Sequence, residues 1–138
     1  MKVSVAWAPP MRFTATSAQS QAQARIEDRR EGVVPVGPSP METVLMALAS
    51  CSSVDVVEIL QKMRAEVRGL RVEADAERAE EPPRVFTKVH LRYHVSGRGL
   101  SHEQVERAVV LSIDKYCSVA GMVKKTADLS YEIVLDDA

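Results

Sequence analysis

The chain has 138 residues, 46% of them hydrophobic, with two cysteines, three histidines and a formal net charge of −1. That is enough for one domain with a real core, without disulfide or metal staples. A near-neutral balance with no polybasic run excludes an electrostatic case for nucleic acid, and no stretch reaches the roughly eighteen unbroken apolar residues of a membrane span.

The N-terminal MKVSVAWAPP carries too short an apolar stretch for a signal peptide, so the expected location is the cytoplasm, where thiols stay reduced unless they cycle. Alternation of Val3, Val5 and Trp7 predicts a first strand that ends at Pro9 and Pro10. MRFTATSA from Met11 and QARIEDRR from Gln23 predict two more, giving N-terminal strands over 1–33. Arg29 and Arg30 stand beside Glu27, Asp28 and Glu31 and read as a solvated mixed-charge turn. The Gly/Pro stretch EGVVPVGPSP separates elements rather than domains, because these strands alone could not bury both faces.

A helix carrying Cys51 is expected over 39–66. Ser39 suits the N-cap, Pro40 the first helical position, and Glu42 completes a capping box with Ser39. The apolar run from Val44 to Ala49 covers the whole circumference and calls for burial on all sides. Beyond Cys51 the helix turns amphipathic, with Val56, Val57, Leu60 and Met63 against Asp55, Glu58, Lys62 and Arg64, and Gly69 is expected to stop it. A hairpin follows over 69–97, its return strand carrying Val89, Leu91, Tyr93 and Val95 on one face. A helical segment over 101–127 opens on a Ser101–Gln104 capping box, has Val105, Ala108, Val109 and Ser112 as its inner stripe, and restarts after Cys117. Residues 129–136 close as a strand. The order predicts an α+β fold, helices on antiparallel sheet, as a single domain over 1–138.

Few side chains offer chemistry. Two distant cysteines and three histidines give no zinc-finger spacing, and no metal is expected. His90 and His94 share a strand face but lie roughly 13 Å apart, too far to grip one ion. Phosphate-binding glycine loops are absent, and without a placed histidine a Cys–His hydrolase has little support. The cysteines remain. Each can be a small buried hydrophobe. Yet Cys51 precedes Ser52 and Ser53 in an otherwise apolar run, and Cys117 sits at a helix break, where backbone N–H groups of a following turn favour a thiolate.

The stretches GPSPMETVLMALASCSSVDVVEILQKMR and LSIDKYCSVAGMVKKTADLSYEI, in this order and spacing, resemble the OsmC/Ohr family of organic-hydroperoxide-reducing proteins, in its OsmC-like branch. The likeness runs from about Val36 to the C-terminus. It implies antiparallel sheets around two central helices in an intertwined homodimer, with a two-cysteine site at each subunit boundary. It also implies an antioxidant role in oxidative stress. By this resemblance Cys51 is the peroxidatic thiol and Cys117 the resolving one. Attack on a small organic hydroperoxide would leave a sulfenic acid, Cys117 would convert it to a disulfide, and an external dithiol such as a lipoyl group would reduce that disulfide. No cofactor is implied.

One position departs from the pattern. The family's peroxidases carry a glutamate where this sequence has Met41, and the carboxylate here is Glu42, about 100° further round the helix. Glu42 is therefore a candidate catalytic carboxylate and also the cap partner of Ser39. A cation is needed to hold Cys51 as thiolate, with Arg12 the first candidate and Arg25 the second. Two functions stay open: a thiol peroxidase, or a non-catalytic module that binds a small apolar ligand or partner in the same crevice.

Overall fold

The computed structural model describes residues 1–136, so positions 137–138 of the expected domain lie outside the described residues. Two compact units make up the chain, Met1–Leu45 and Met46–Ala138.

In the N-terminal unit, strands β1 (Val3–Ala8), β2 (Arg12–Ser17) and β3 (Gln23–Glu27) form an antiparallel sheet in that order. Trp7 lies opposite Phe13, and Phe13 opposite Ile26. The alternation read in β1 is present, but neither of its faces is covered: Val3, Val5 and Trp7 are 69%, 58% and 62% exposed.

Helix α1 spans Pro40–Lys62 and starts as its sequence dictates. The Ser39 N–H donates to Glu42 Oε1 at 3.0 Å, and the Glu42 N–H donates to Ser39 Oγ at 3.1 Å. Its end is not where glycine placement suggested. Arg64 takes a left-handed conformation (φ 65°), the Ala65 N–H donates to the Leu60 carbonyl and the Arg64 N–H to the Gln61 carbonyl. That is the double bond of a Schellman stop, with arginine in the position glycine usually fills. Gly69 instead sits beside a bulge in the next strand, where a Cβ would meet Ser96 Oγ at 2.7 Å.

The burial of α1 also departs from expectation. Only Leu48, Ser52, Val56 and Leu60 are buried, one i, i+4 ridge, while Val44, Met46 and Val54 remain exposed. Length and composition alone would let α1 cross a bilayer. Ser52 and Asp55 at its middle are, however, hydrogen-bonded to a serine of the C-terminal unit.

That unit contains the core. Strands β4 (Glu66–Arg78) and β5 (Phe86–Arg98) form the hairpin, and Val89, Leu91, Tyr93 and Val95 are at most 1% exposed. Each such aliphatic side chain contributes about 1.5–3 kcal/mol on burial. Helix α2 (His102–Leu111) begins on the expected Ser101–Gln104 box and buries Val105, Ala108 and Val109. A π-helical turn over Ser112–Tyr116 then leads into α3 (Ser118–Val123) and strand β6 (Asp128–Asp136). β6 pairs with β5 in parallel, so this sheet is mixed rather than antiparallel. The helical crossover from β5 brings the chain back to the end from which β5 starts, which permits parallel pairing. Tyr93 of β5 bonds Ser52 of α1, and Tyr131 of β6 donates to Glu106 of α2 at 3.1 Å, tying both helices to the sheet.

Candidate functional site

Cys51 and Cys117 meet in the C-terminal unit. Both are free thiols, Cys51 half-buried and Cys117 buried, and Cys51 lies near enough to raise the Cys117 pKa. Cys51 is brought there by the α1 ridge, since its neighbour Ser52 is fully buried. Cys117 is brought there by the π-helical turn, whose closing bond runs from the Cys117 N–H to the Ser112 carbonyl at 2.7 Å. Such wide turns are frequent at functional sites.

Cys117 is also the N-cap of α3, and its Sγ accepts from the Ala120 N–H at 3.3 Å. The helix start therefore does favour a thiolate, as the sequence suggested. It does not prevail. Burial, reinforced by the adjacent Cys51 thiol, outweighs the N–H groups of Ala120 and Val119 and pushes Cys117 up to about 11. At neutral pH Cys117 is a thiol.

Beside the pair lies a buried polar chain. Tyr93 Oη and Ser52 Oγ are 2.6 Å apart, Ser52 Oγ and Ser112 Oγ 2.9 Å, and the Ser112 hydroxyl donates to Asp55 Oδ2 at 2.8 Å. Tyr93, Ser52 and Ser112 are fully buried. Burial drives the Tyr93 pKa up to about 12 against the Ser52 hydrogen bond, with negative charge at Cys117 or Asp55 adding to the rise. The sequence showed Ser52 as a polar break and Ser112 in an inner stripe, but gave no sign that they meet. A serine at an otherwise apolar stripe position was the available signal.

Arg12 and Glu42 find their partners in the N-terminal unit. Arg12 Nε lies 3.4 Å from Glu27 Oε2, and its Nη2 donates to the Val34 carbonyl at 3.3 Å. The sequence places Glu27 in a solvated mixed-charge turn, but it is the one buried residue of this unit, because the Val36 and Gly37 N–H groups and Arg12 close over its carboxylate. Burial opposes its ionisation, but the N–H groups of Gly37 and Val36, donating at 3.2 and 2.5 Å, and then Arg12, hold its pKa below the usual value. Arg12, Arg25 and Glu27 line a cavity of about 340 Å³ with Phe13, Ile26 and Val36. Glu42 is engaged by the Ser39 backbone and hydroxyl, which lower its pKa, with Arg29 3.7 Å away. The structure thus brings the two cysteines together and gives Arg12 and Glu42 separate structural partners.

The histidines are paired with carboxylates. His90 contacts Ser130 Oγ (2.7 Å) and Glu132 (3.3 Å), His94 contacts Glu73 (2.6 Å), and His102 lies 4.0 Å from Glu106. A second cavity, of about 370 Å³, opens on the charged sheet surface at Asp75, Lys88, His90 and Asp128. Neither cavity is lined by a cysteine.

Comparison with known proteins follows the same lines. A family model described as OsmC-like protein matches residues 31–132. The chain is 44% identical over 136 residues to protein YhfA of Escherichia coli K12, covering 97% of this chain and 98% of that one. A hypothetical protein from Aquifex aeolicus is 28% identical, with a TM-score of 0.81 over 98% of this chain and 96% of that one. The organic hydroperoxide resistance protein OhrB of Bacillus subtilis is 13% identical, with a TM-score of 0.64 over 96% of each chain, a likeness of fold alone.

Proposed function

We propose that this chain, which belongs to the OsmC-like protein family, reduces small organic hydroperoxides with Cys51 and Cys117 as a homodimer. The carrying observation is the meeting of a half-buried thiol with a buried, protonated one. The reading assigns attack to Cys51, which lies nearer solvent, and resolution to Cys117.

The electrons balance without a cofactor. Cys51–SH and ROOH give Cys51–SOH and ROH, the O–O bond breaking as S–O forms. Cys117–SH then displaces the hydroxyl, which leaves as water with the Cys117 proton, and the S–S bond forms. An external dithiol, such as a lipoyl group, restores both thiols by exchange. A raised Cys117 pKa suits this second role, because its proton is retained until the sulfenic acid supplies a leaving group. The dimer is supported by the uncovered apolar side chains of Val3, Val5 and Trp7 on β1 and of Val44, Met46 and Val54 on α1.

The test is consumption of cumene hydroperoxide by purified protein with dihydrolipoamide. Wild type is expected to turn over faster with it than with hydrogen peroxide. Cys51→Ser should abolish turnover, whereas Cys117→Ser should react once and then accumulate sulfinic acid. Equal consumption by wild type and Cys51→Ser would remove the enzymatic reading. A second reading, a non-catalytic module that binds an apolar ligand, is favoured by one observation: Arg12 is held by Glu27 and Val34, and Glu42 by Ser39.

A further inference from the structure

We propose that Ser112 is a positioning residue that sets the Cys51–Cys117 geometry, acting through both its hydroxyl and its carbonyl. For its role in turnover this inference rests on the peroxidase reading; for the thiol pair itself it does not. Ser112 is fully buried at the junction of α2 and the π-helical turn. Its carbonyl accepts the Cys117 N–H at 2.7 Å. Its hydroxyl reaches Ser52, the residue next to Cys51, at 2.9 Å and Asp55 at 2.8 Å. One residue therefore bonds directly to the backbone of one cysteine and to the neighbour of the other.

The Ser112 hydroxyl is aimed at two acceptors, Asp55 Oδ2 at 2.8 Å and Ser52 Oγ at 2.9 Å. Ser52 Oγ in turn lies 2.6 Å from Tyr93 Oη, so one network joins α1, β5 and the π-helical turn. Among the described residues no buried side-chain N or O lacks a partner. A satisfied buried network has one low-energy arrangement, which rigidifies its surroundings more than interchangeable apolar contacts do. The alternative to a held Cys117 is a sulfenic acid on Cys51 that waits, and a second oxidant molecule then takes it to sulfinic acid.

The experiment measures the Cys51–Cys117 dithiol–disulfide equilibrium in a dithiothreitol redox buffer, by thiol alkylation and intact mass, without any peroxide. Ser112→Ala is expected to shift it toward the dithiol by on the order of tenfold. Asp55→Ala should shift it less in the same direction, and Asp55→Asn, which keeps an acceptor oxygen, should return it close to wild type. Val105→Ala leaves a core cavity in α2 and should lower Tm without moving the equilibrium, which separates positioning by Ser112 from a general loss of packing. A folded Ser112→Ala protein with the wild-type equilibrium, or a Val105→Ala shift of equal size, overturns the proposal. If Ser112→Ala does not fold, the Asp55 pair decides: a wild-type equilibrium in Asp55→Ala overturns it. If the variants show these shifts while wild-type protein consumes no hydroperoxide, the positioning role is supported and the peroxidase reading is overturned.

Discussion

The units Met1–Leu45 and Met46–Ala138 differ in what they bury. In the C-terminal unit the buried residues are mostly apolar, from Leu48 through Leu91 and Val109 to Ala127, and the polar exceptions are Ser52 and Ser112. In the N-terminal unit the buried residue is a carboxylate, Glu27, and its apolar side chains at Val3, Val5 and Trp7 face outward. One unit is organised around hydrocarbon; the other is organised around a charge that collects N–H groups. A sheet of three short strands with no buried hydrophobe is marginal alone, and its apolar side chains are the surface that the proposed homodimer would cover.

The largest effect should therefore come from the exposed face of β1. Trp7→Asp places a charge where the proposed homodimer covers an aromatic, and burying an unpaired charge is among the most damaging interface changes. Dimer affinity is expected to fall by about 100-fold or more, read by sedimentation velocity at micromolar concentration. A wild-type chain that sediments as a monomer there would break the comparison, because the N-terminal sheet would then stand uncovered. Next in size is Leu48→Ala. Leu48 is fully buried on the α1 ridge, and its truncation should cost about 2–5 kcal/mol in urea unfolding.

How far these contrasts were legible in the sequence depends on whether the cause is local. The β5 alternation of Val89, Leu91, Tyr93 and Val95 and both capping boxes are local patterns, and the structure has them where the sequence placed them. The parallel direction of β6 is not local, since nothing in LSYEIVL states which neighbour it joins. Arg64 ends α1 because a left-handed arginine costs little beside two satisfied carbonyls, a balance invisible to a search for glycine. The cysteine pair was implied by family resemblance rather than by spacing. Its polar surroundings were missed because Ser52, Tyr93 and Ser112 lie on three separate elements that only tertiary packing joins.

Alkaline pH should separate the units next. Cys117 is raised from an ordinary 9.0 to about 11 and Tyr93 from 10.0 to about 12, chiefly by burial in both cases. Between those values the unfolded chain releases protons that the folded chain keeps, so stability is full below pH 9 and falls as pH rises toward 11–12. The loss should be on the order of 5 kcal/mol for the two groups together, and Cys117→Ser should flatten its lower half in urea titrations taken at successive pH. The N-terminal unit should instead show an acid limb. Glu27 is held below 4.5, so its contribution is present above that pH and lost as pH falls through its lower folded value. Glu27→Gln should reduce that acid limb and lower Tm by a few degrees while leaving the alkaline limb intact.

The smallest effect is expected at Glu42, and it sharpens the comparison most. Each unit contains a capping box: Ser39 with Glu42 in one, Ser101 with Gln104 in the other. The second box closes with an uncharged amide, so charge is not needed for the cap itself. Glu42→Gln converts the first box into a copy of the second, keeping an acceptor for the Ser39 N–H and removing only the carboxylate charge that Arg29 faces at 3.7 Å. If capping is all that Glu42 does, Tm and hydroperoxide kcat/KM should both stay at wild-type values, whereas Ser39→Ala should cost about 1 kcal/mol of stability. If the carboxylate helps to hold a cation for Cys51, kcat/KM should fall with Tm unchanged. That separation of rate from stability is what a cap alone cannot produce, and it would move Glu42 from the helix start into the chemistry.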